Sequence, residues 1–450
     1  MNVKNGHNTN FAAARFLVLR NWWHNARSSF WFVPTVIVAG AVFLAAALVA
    51  VEVNTDPLVL ERWHWLFGAG AAGSRGLLSA VAGSMITVAG VVFSITIVAL
   101  SLTSSQYTPR VLRNFMRDTI NQTVLGIFVG IFAYCLVVLR SIRGGDEGAF
   151  VPSFAVFVAL GLAFLGIALL IFFIHHISMS IQASAIIASA ADETVAAVER
   201  LFPEEIGEDA DENFDGDSLP SADNNWCAIP SMSMGYVESV NGEALLQYAA
   251  KIGTIIRMER GIGEFVVQGA PLVSVKSSCP DEGAIAELNK IYLISRHRTV
   301  QQDAGFGIRQ IVDIALKALS PGVNDTTTAV TCVDYLTAIL VRLGPRQIAS
   351  SRRFHEGELR LYARGPSFES LLKEAFEQIR QSAGGNVAVL RRQIWSLTTI
   401  AGSVSHPARL EALREQADRL ILVIERTMQP LDTEQLEREI LKLRNQLAPT

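Results

Sequence analysis

Four stretches of the chain are almost purely apolar: Phe30 to Val53, Leu77 to Thr103, Ile120 to Leu139 and Val151 to His175. None carries Asp, Glu, Lys or Arg in its central part, and short polar segments separate them. An α-helix rises about 1.5 Å per residue, so roughly 20 residues cross about 30 Å of hydrocarbon. Hydrocarbon offers no water to a bare peptide group, which forces each run to coil into a helix. The pattern predicts a membrane all-α domain of four transmembrane helices over residues 30–176.

A different rhythm follows. Ile174, Ile177, Ile181, Ala185, Ala188, Val195, Val198 and Phe202 keep a helical stripe, which predicts one continuous membrane-exit helix through residues 177–203. Nine Asp or Glu residues between Glu204 and Asp223 then mark residues 204–225 as an acidic linker. Residues 226–278 read as a small β module. Its strands are expected at Gly235–Val237, Thr254–Met258, Phe265–Val267 and Leu272–Val275, with a helix from Glu243 to Lys251. This order of elements resembles a barrel-sandwich of the biotinyl/lipoyl type, without the modified-lysine hairpin, so no prosthetic group is implied. Residues 279–450 form a helical region, with helices inside 284–343 and around 367–382, 386–403, 406–428 and 432–447. In the last of these Leu436, Ile440, Leu443 and Leu447 have coiled-coil-like spacing, suited to packing within or between subunits. The fold class is therefore a membrane all-α domain followed by an α+β cytoplasmic domain.

Basic residues set the orientation. The tail of residues 1–29 holds Lys4, Arg15, Arg20 and Arg27, and the loop after the second run holds Arg110, Arg113 and Arg117. The other two loops carry Arg62 with Arg75 and Arg140 with Arg143, diluted by Asp56, Glu61, Asp146 and Glu147. Both termini are expected in the cytoplasm, with the protein in a bacterial inner membrane. Trp22, Trp23, Trp31, Trp63 and Trp65 fit an interfacial aromatic belt.

Composition sharpens this picture. Half the residues are hydrophobic and only 18% charged, with a mean hydropathy of +0.32, and residues 30–175 hold nearly all the excess. A net charge of −4 leaves no basic footprint, which excludes nucleic acid as a partner. The expected partners are the lipid bilayer, further copies of the chain, and ions or small solutes. Cys135, Cys227, Cys279 and Cys332 lie far apart without paired spacing, which argues against a disulfide framework and against a thiolate metal site.

The second run holds the candidate chemistry of the membrane part. Ser79, Gly83, Thr87, Gly90, Ser94 and Ser101 share one helical face, which suits either close helix packing or a wet pathway. No acid or base lies at mid-membrane depth, so passive permeation fits better than pumping. The boundary motif Gln106, Tyr107, Pro109, Arg110, Arg113 and Arg117 follows; Pro109 should end the helix, and the arginines either anchor topology or meet lipid phosphates. His175 and His176 read as interfacial residues. Gln302, Asp303, Ser320, Pro321, Gly322, Asn324 and Asp325 form a structural motif in which Asn324 or Asp325 caps a helix. Asp313 reads as a surface or cap partner, and His297, His355 and His406 as surface or capping residues. No nucleophile elbow, phosphate loop, metal cluster or cofactor fingerprint occurs, so no enzyme, cofactor or metal is expected.

The run Gln106-Tyr-Thr-Pro-Arg110, with Gln302-Asp303, Phe306-Gly307 and Ala318-Leu-Ser-Pro-Gly-Val-Asn-Asp325, resembles a widespread bacterial family of predicted membrane proteins catalogued as a domain of unknown function. The resemblance covers nearly the whole chain and implies a multi-pass inner-membrane protein. The functional expectation is a homo-oligomeric, channel-like protein for ions or small solutes with a cytoplasmic regulatory domain. The alternatives are a non-transporting anchored scaffold or sensing module, and a lipid-acting membrane enzyme using Arg110, Arg113 and Arg117 as headgroup contacts.

Overall fold

The computed structural model describes residues 31–54, 70–106, 118–143, 150–202, 225–276, 279–300, 302–348, 350–427 and 430–448. The N-terminal tail, Tyr107 to Arg117 of the boundary motif, and the acidic linker through residue 224 lie outside them. The chain forms two compact units, one ending at Gln182 and the other beginning at Ala183.

The first unit contains α1 (Phe32–Val53), α2 (Ala71–Gln106), α3 (Thr119–Ser141) and α4 (Ser153–Ser180). Their mean hydropathies reach 2.3 to 2.9. Helix α3 is central and packs against the other three, burying Val124, Phe128, Ile131, Tyr134 and Cys135. Gly126 and Gly130 admit α1: a Cβ on Gly126 would stand 2.8 Å from the Pro34 backbone, and one on Gly130 3.3 Å from Ala41 Cβ. This small-xxx-small spacing lets two backbones approach in lipid, where dispersion rather than water expulsion drives helix association. Tyr134 donates its hydroxyl to the Ala155 carbonyl at 2.8 Å, and Glu52 accepts the Phe154 N–H at 2.5 Å, so both hold the start of α4. Phe43, Phe164 and Ile171 face outward at 75%, 65% and 67% exposure, an apolar surface that only lipid can cover at low cost.

The second unit begins with α5 (Ala183–Leu201) and continues through β1 (Trp226–Pro230), β2 (Gly235–Val240), α6 (Gly242–Lys251), β3 (Ile256–Met258), β4 (Phe265–Val266) and β5 (Pro271–Lys276). Next come α7 (Glu282–Ile291), β6 (Tyr292–Ser295), α8 (Ala304–Ala318), α9 (Thr326–Leu343), β7 (Arg352–His355) and β8 (Glu358–Tyr362). Four helices close the chain: α10 (Phe368–Ser382), α11 (Val387–Ala401), α12 (Pro407–Thr427) and α13 (Pro430–Gln446). The strands form one sheet of order β1-β5-β3-β8-β7 and another of order β4-β2-β6. A local polar residue starts each of six helices: Asn241, Asp281, Asp303, Asp325, Ser367 and Asn386 each accept a backbone N–H of the following turn. Helix α9 is also long and apolar enough to cross a membrane, with a mean hydropathy of 1.2, which makes five such helices among the described residues.

Several expectations need correction. The membrane-exit helix is not continuous: α4 ends at Ser180 and α5 starts at Ala183. The break follows Ser178 and Ser180, whose hydroxyls bond back to the carbonyls of Ile174 and His176 and compete with the helical ladder. The sheets also recruit segments read as helical or unassigned, namely β1, β6, β7 and β8. Most directly, Cys227 and Cys279 form a disulfide across 52 residues, with Cα atoms 5.3 Å apart. Local spacing could not reveal it, because the antiparallel β1–β5 ladder, with Cys227 opposite Val275, brings the two cysteines together.

Candidate functional site

All six residues of the small-polar face of α2 are exposed in the single chain. The helix packs through another stripe, Leu78, Ala82, Met85, Ala89, Val92, Thr96 and Ala99. Among the described residues nothing lies within 4 Å of a Cβ placed on Gly83 or Gly90. Thr87 and Ser94 donate their hydroxyls to the carbonyls of Gly83 and Gly90, at 2.8 and 2.9 Å, so the face is polar yet internally satisfied. At about 1.5 Å per residue the 36 residues of α2 extend roughly 54 Å, more than a hydrocarbon core requires. Its last described residue is Gln106, three positions before Pro109. At one end of the same unit His176 Nε2 stands 2.7 Å from Asp118 Oδ2, tying α4 to the residue that caps α3.

The paired motifs of the second unit are structural in their contacts. Asp303 caps α8 by accepting the Phe306 N–H at 2.9 Å, and its other oxygen receives both Nε and Nη2 of Arg298, at 2.8 and 2.7 Å. The Arg298 guanidinium lies 5.1 Å from the Phe306 ring centre. Gln302 is exposed beside it. In the Ser320–Asp325 turn the Ser320 carbonyl accepts from Val323 and Asn324, and Asn324 takes the left-handed conformation at φ 49°. Asp325, rather than Asn324, caps α9 by accepting from the Thr328 backbone at 3.0 Å and its hydroxyl at 2.6 Å. Those bonds to Thr328 hold the Asp325 carboxyl below the ordinary carboxylate value. Pro321 and Gly322 form the exposed tip of the turn. Asp313 pairs with Arg309 at 2.8 Å.

Sequence reasoning missed one concave feature of the second unit. A cleft of about 870 Å³ opens where the first turns of α6, α10 and α12 approach β7 and the segment after β8. Met258, Ile262 and Leu361 supply apolar walls, and Arg353, Arg364, Arg409 and His406 supply nitrogen groups. Glu243 and Glu369 stand on the exposed rim. Arg364 is already paired with Glu264 at 2.6 Å. Arg409 gives one N–H to the Gly344 carbonyl at 2.7 Å and lies 5.5 Å from the Phe368 ring centre, with no carboxylate paired to it among the described residues. Arg353, half-buried, has no side-chain hydrogen bond or ion pair among the described residues. Burial pushes both guanidinium groups down from their ordinary value, with no acid acting against it. His406, read as a surface or capping residue, is exposed at the mouth, directly before α12.

The family model "Predicted membrane protein (DUF2254)" matches residues 27–399. Uncharacterized protein MT1328 of Mycobacterium tuberculosis (strain CDC 1551 / Oshkosh) is 33% identical over 405 residues, covering 88% of this chain and 76% of the relative. Uncharacterized protein Mb1321c of Mycobacterium bovis matches with the same identity and coverage. No solved structure matches the chain.

Proposed function

Because the chain belongs to the DUF2254 family of predicted membrane proteins, we propose that it is a homo-oligomeric, channel-like protein of the bacterial inner membrane. It passes ions or small solutes under the control of its second unit, without catalysing a reaction. The exposed small-polar face of α2 carries this reading. Ser, Thr and Gly gain nothing from lipid contact, whereas close approach of a second helix or a file of water would use their small size and hydroxyl oxygens. Four spans cross the membrane, both termini are cytoplasmic, and α9 belongs to the interior of the second unit. Supporting that place for α9, its Thr337 hydroxyl bonds Ser396 on α11 at 2.7 Å, and its Asp334 pairs with Arg392 there.

The test is subunit count by native mass measurement in mild detergent, joined to flux from reconstituted liposomes. A Cβ at position 83 meets nothing within 4 Å among the described residues, so Gly83→Leu should leave folding intact while breaking the oligomer and abolishing flux. A folded monomeric parent, or vesicles holding folded oligomer that stay silent across a broad ion panel, overturns the proposal. The cleft favours a second reading, a membrane-anchored sensing module that does not transport. Silent vesicles together with a cleft ligand would support that one.

A further inference from the structure

We propose that the cleft between the sheets and α10 and α12 binds a small organic phosphate. Its phosphate would be held by Arg353 and Arg409, and its apolar body would lie against Met258, Ile262 and Leu361. This inference is independent of whether the spans conduct.

Three observations carry it. The first is an uncompensated charge: Arg353 is half-buried on the cleft wall, and among the described residues its guanidinium has neither an acid nor a hydrogen-bond acceptor. A desolvated cation without a partner is costly unless an anion arrives, and a planar guanidinium fork matches phosphate oxygens well. Arg409 repeats the arrangement, because its partners are a carbonyl and a ring face rather than a carboxylate. The second is direction. The starts of α6, α10 and α12, helices of 10, 15 and 21 residues, all border this cleft. The Asn241 side chain takes one N–H of α6, Ser367 and Ser370 form a capping box on α10, and α12 opens with Pro407, which has no N–H, so the three starts contribute chiefly their positive dipole ends to this border. The third is size and lining. At about 870 Å³ the cavity falls in the range that encloses a nucleotide-sized molecule, and its Met, Ile and Leu walls would be wasted on a bare ion.

The opposing charges are Glu243 and Glu369. Both are exposed on the rim, and Glu243 is occupied by Gln247 on its own helix at 3.1 Å. They screen the mouth rather than fill the interior, and so exclude ligands with a second anionic group at the outer end.

The same chemistry could come from a soluble nucleotide or from a lipid headgroup. Full-length protein in detergent would be titrated with adenosine monophosphate, with dihexanoyl phosphatidic acid, and with inorganic phosphate, by calorimetry and thermal shift. One organic phosphate should bind saturably, at least tenfold more tightly than inorganic phosphate. Adenosine monophosphate as the binder would identify a soluble source, and the phosphatidic acid a membrane source. Arg353→Gln should weaken that binding at least tenfold while leaving the ligand-free melting temperature unchanged or raised, since no internal bond is lost. Arg391→Gln, which alters an exposed pair with Glu439 on α13, should leave affinity as it was. Absence of binding by all three probes, equal affinity for inorganic phosphate, or full affinity in Arg353→Gln overturns the proposal.

Discussion

Gly307→Ala in the Phe306-Gly307 motif tests how α5 and α8 meet. A Cβ on Gly307 would overlap Thr194 Oγ1 and stand 2.9 Å from both Cβ and Cγ2 of that fully buried residue. In an open helix the same change would stabilise by roughly 0.8–1 kcal/mol, because alanine loses less backbone freedom than glycine. Here the added methyl must force apart two helices packed in a buried core, and with an overlap this deep the cost lies in the upper part of the usual overpacking range, about 2–3 kcal/mol. The contact wins, leaving a net loss of about 1–2 kcal/mol. For a unit of this size each kcal/mol moves the melting temperature by about 2–4 °C, so a fall of roughly 2–8 °C is expected. Thr194→Ala removes Oγ1 and Cγ2 but leaves its own Cβ in place, so the double variant should recover only part of the loss. The assay is tryptophan-fluorescence melting of parent, both single variants and the double. A Gly307→Ala protein melting at or above the parent, or strictly additive effects in the cycle, would refute the packing argument.

Other outcomes follow from the same contacts. Gly126→Ala should lower the detergent stability of the first unit by about 1–3 kcal/mol, because the obstructing atom is Pro34 backbone and cannot rotate away; unchanged melting would contradict the α1–α3 contact. Asp325→Ala should cost about 1 kcal/mol at neutral pH through loss of the α9 cap. Since the folded carboxyl is held low, its contribution is present above the ordinary carboxylate value and disappears as pH falls through the folded value, so variant and parent should converge in stability below about pH 4. A difference that persists undiminished well below that range would exclude the cap. In intact cells quenched with acid, maleimide should label all four cysteines after denaturation if the second unit faces a reducing cytoplasm. Air-oxidised purified protein should label only Cys135 and Cys332, and reduction should destabilise it by up to about 4 kcal/mol for a loop of 52 residues. Cys227 and Cys279 protected within living cells would place the second unit outside.

What the sequence yielded follows the range of each signal. The spans were legible because lipid acts on every residue of a run in the same way. The cap at Asp325 was legible because its partner, Thr328, lies three residues away. The Arg352–Tyr362 hairpin left one local trace, Glu356-Gly357, which turns with φ of 52° and 79°; its flanks are too charged to read as strands. The Gly126-Ile-Phe-Val-Gly130 spacing is equally local, two small residues four apart in the third run. The cleft left no such trace. Arg353, Arg364 and Arg409 enter it from a strand, a connection and a helix start, and each looks alone like a solvated surface charge. Only the parallel pairing of β3 with β8 brings those segments beside Met258. The spacing of the small polar residues in α2 places them on one side of a helix, while their exposure in the single chain depends on which stripe α3 and α4 occupy.

The disulfide and the arginine distribution pull the topology in opposite directions only if the bond is needed to build the fold. It is not. Five registered pairs, from Trp226 with Lys276 to Pro230 with Pro271, already hold β1 against β5. Ile229, Val273 and Val275 bury their side chains in the same ladder. Cys227 would therefore stay near Cys279 whether the sulfurs are joined or carry protons. In the proposed orientation, set earlier during insertion, the seven basic residues Lys4, Arg15, Arg20, Arg27, Arg110, Arg113 and Arg117 lie on the side opposite the four at Arg62, Arg75, Arg140 and Arg143. The ladder fixes proximity, the basic residues choose the compartment, and the redox poise of that compartment then decides whether the pair is bonded.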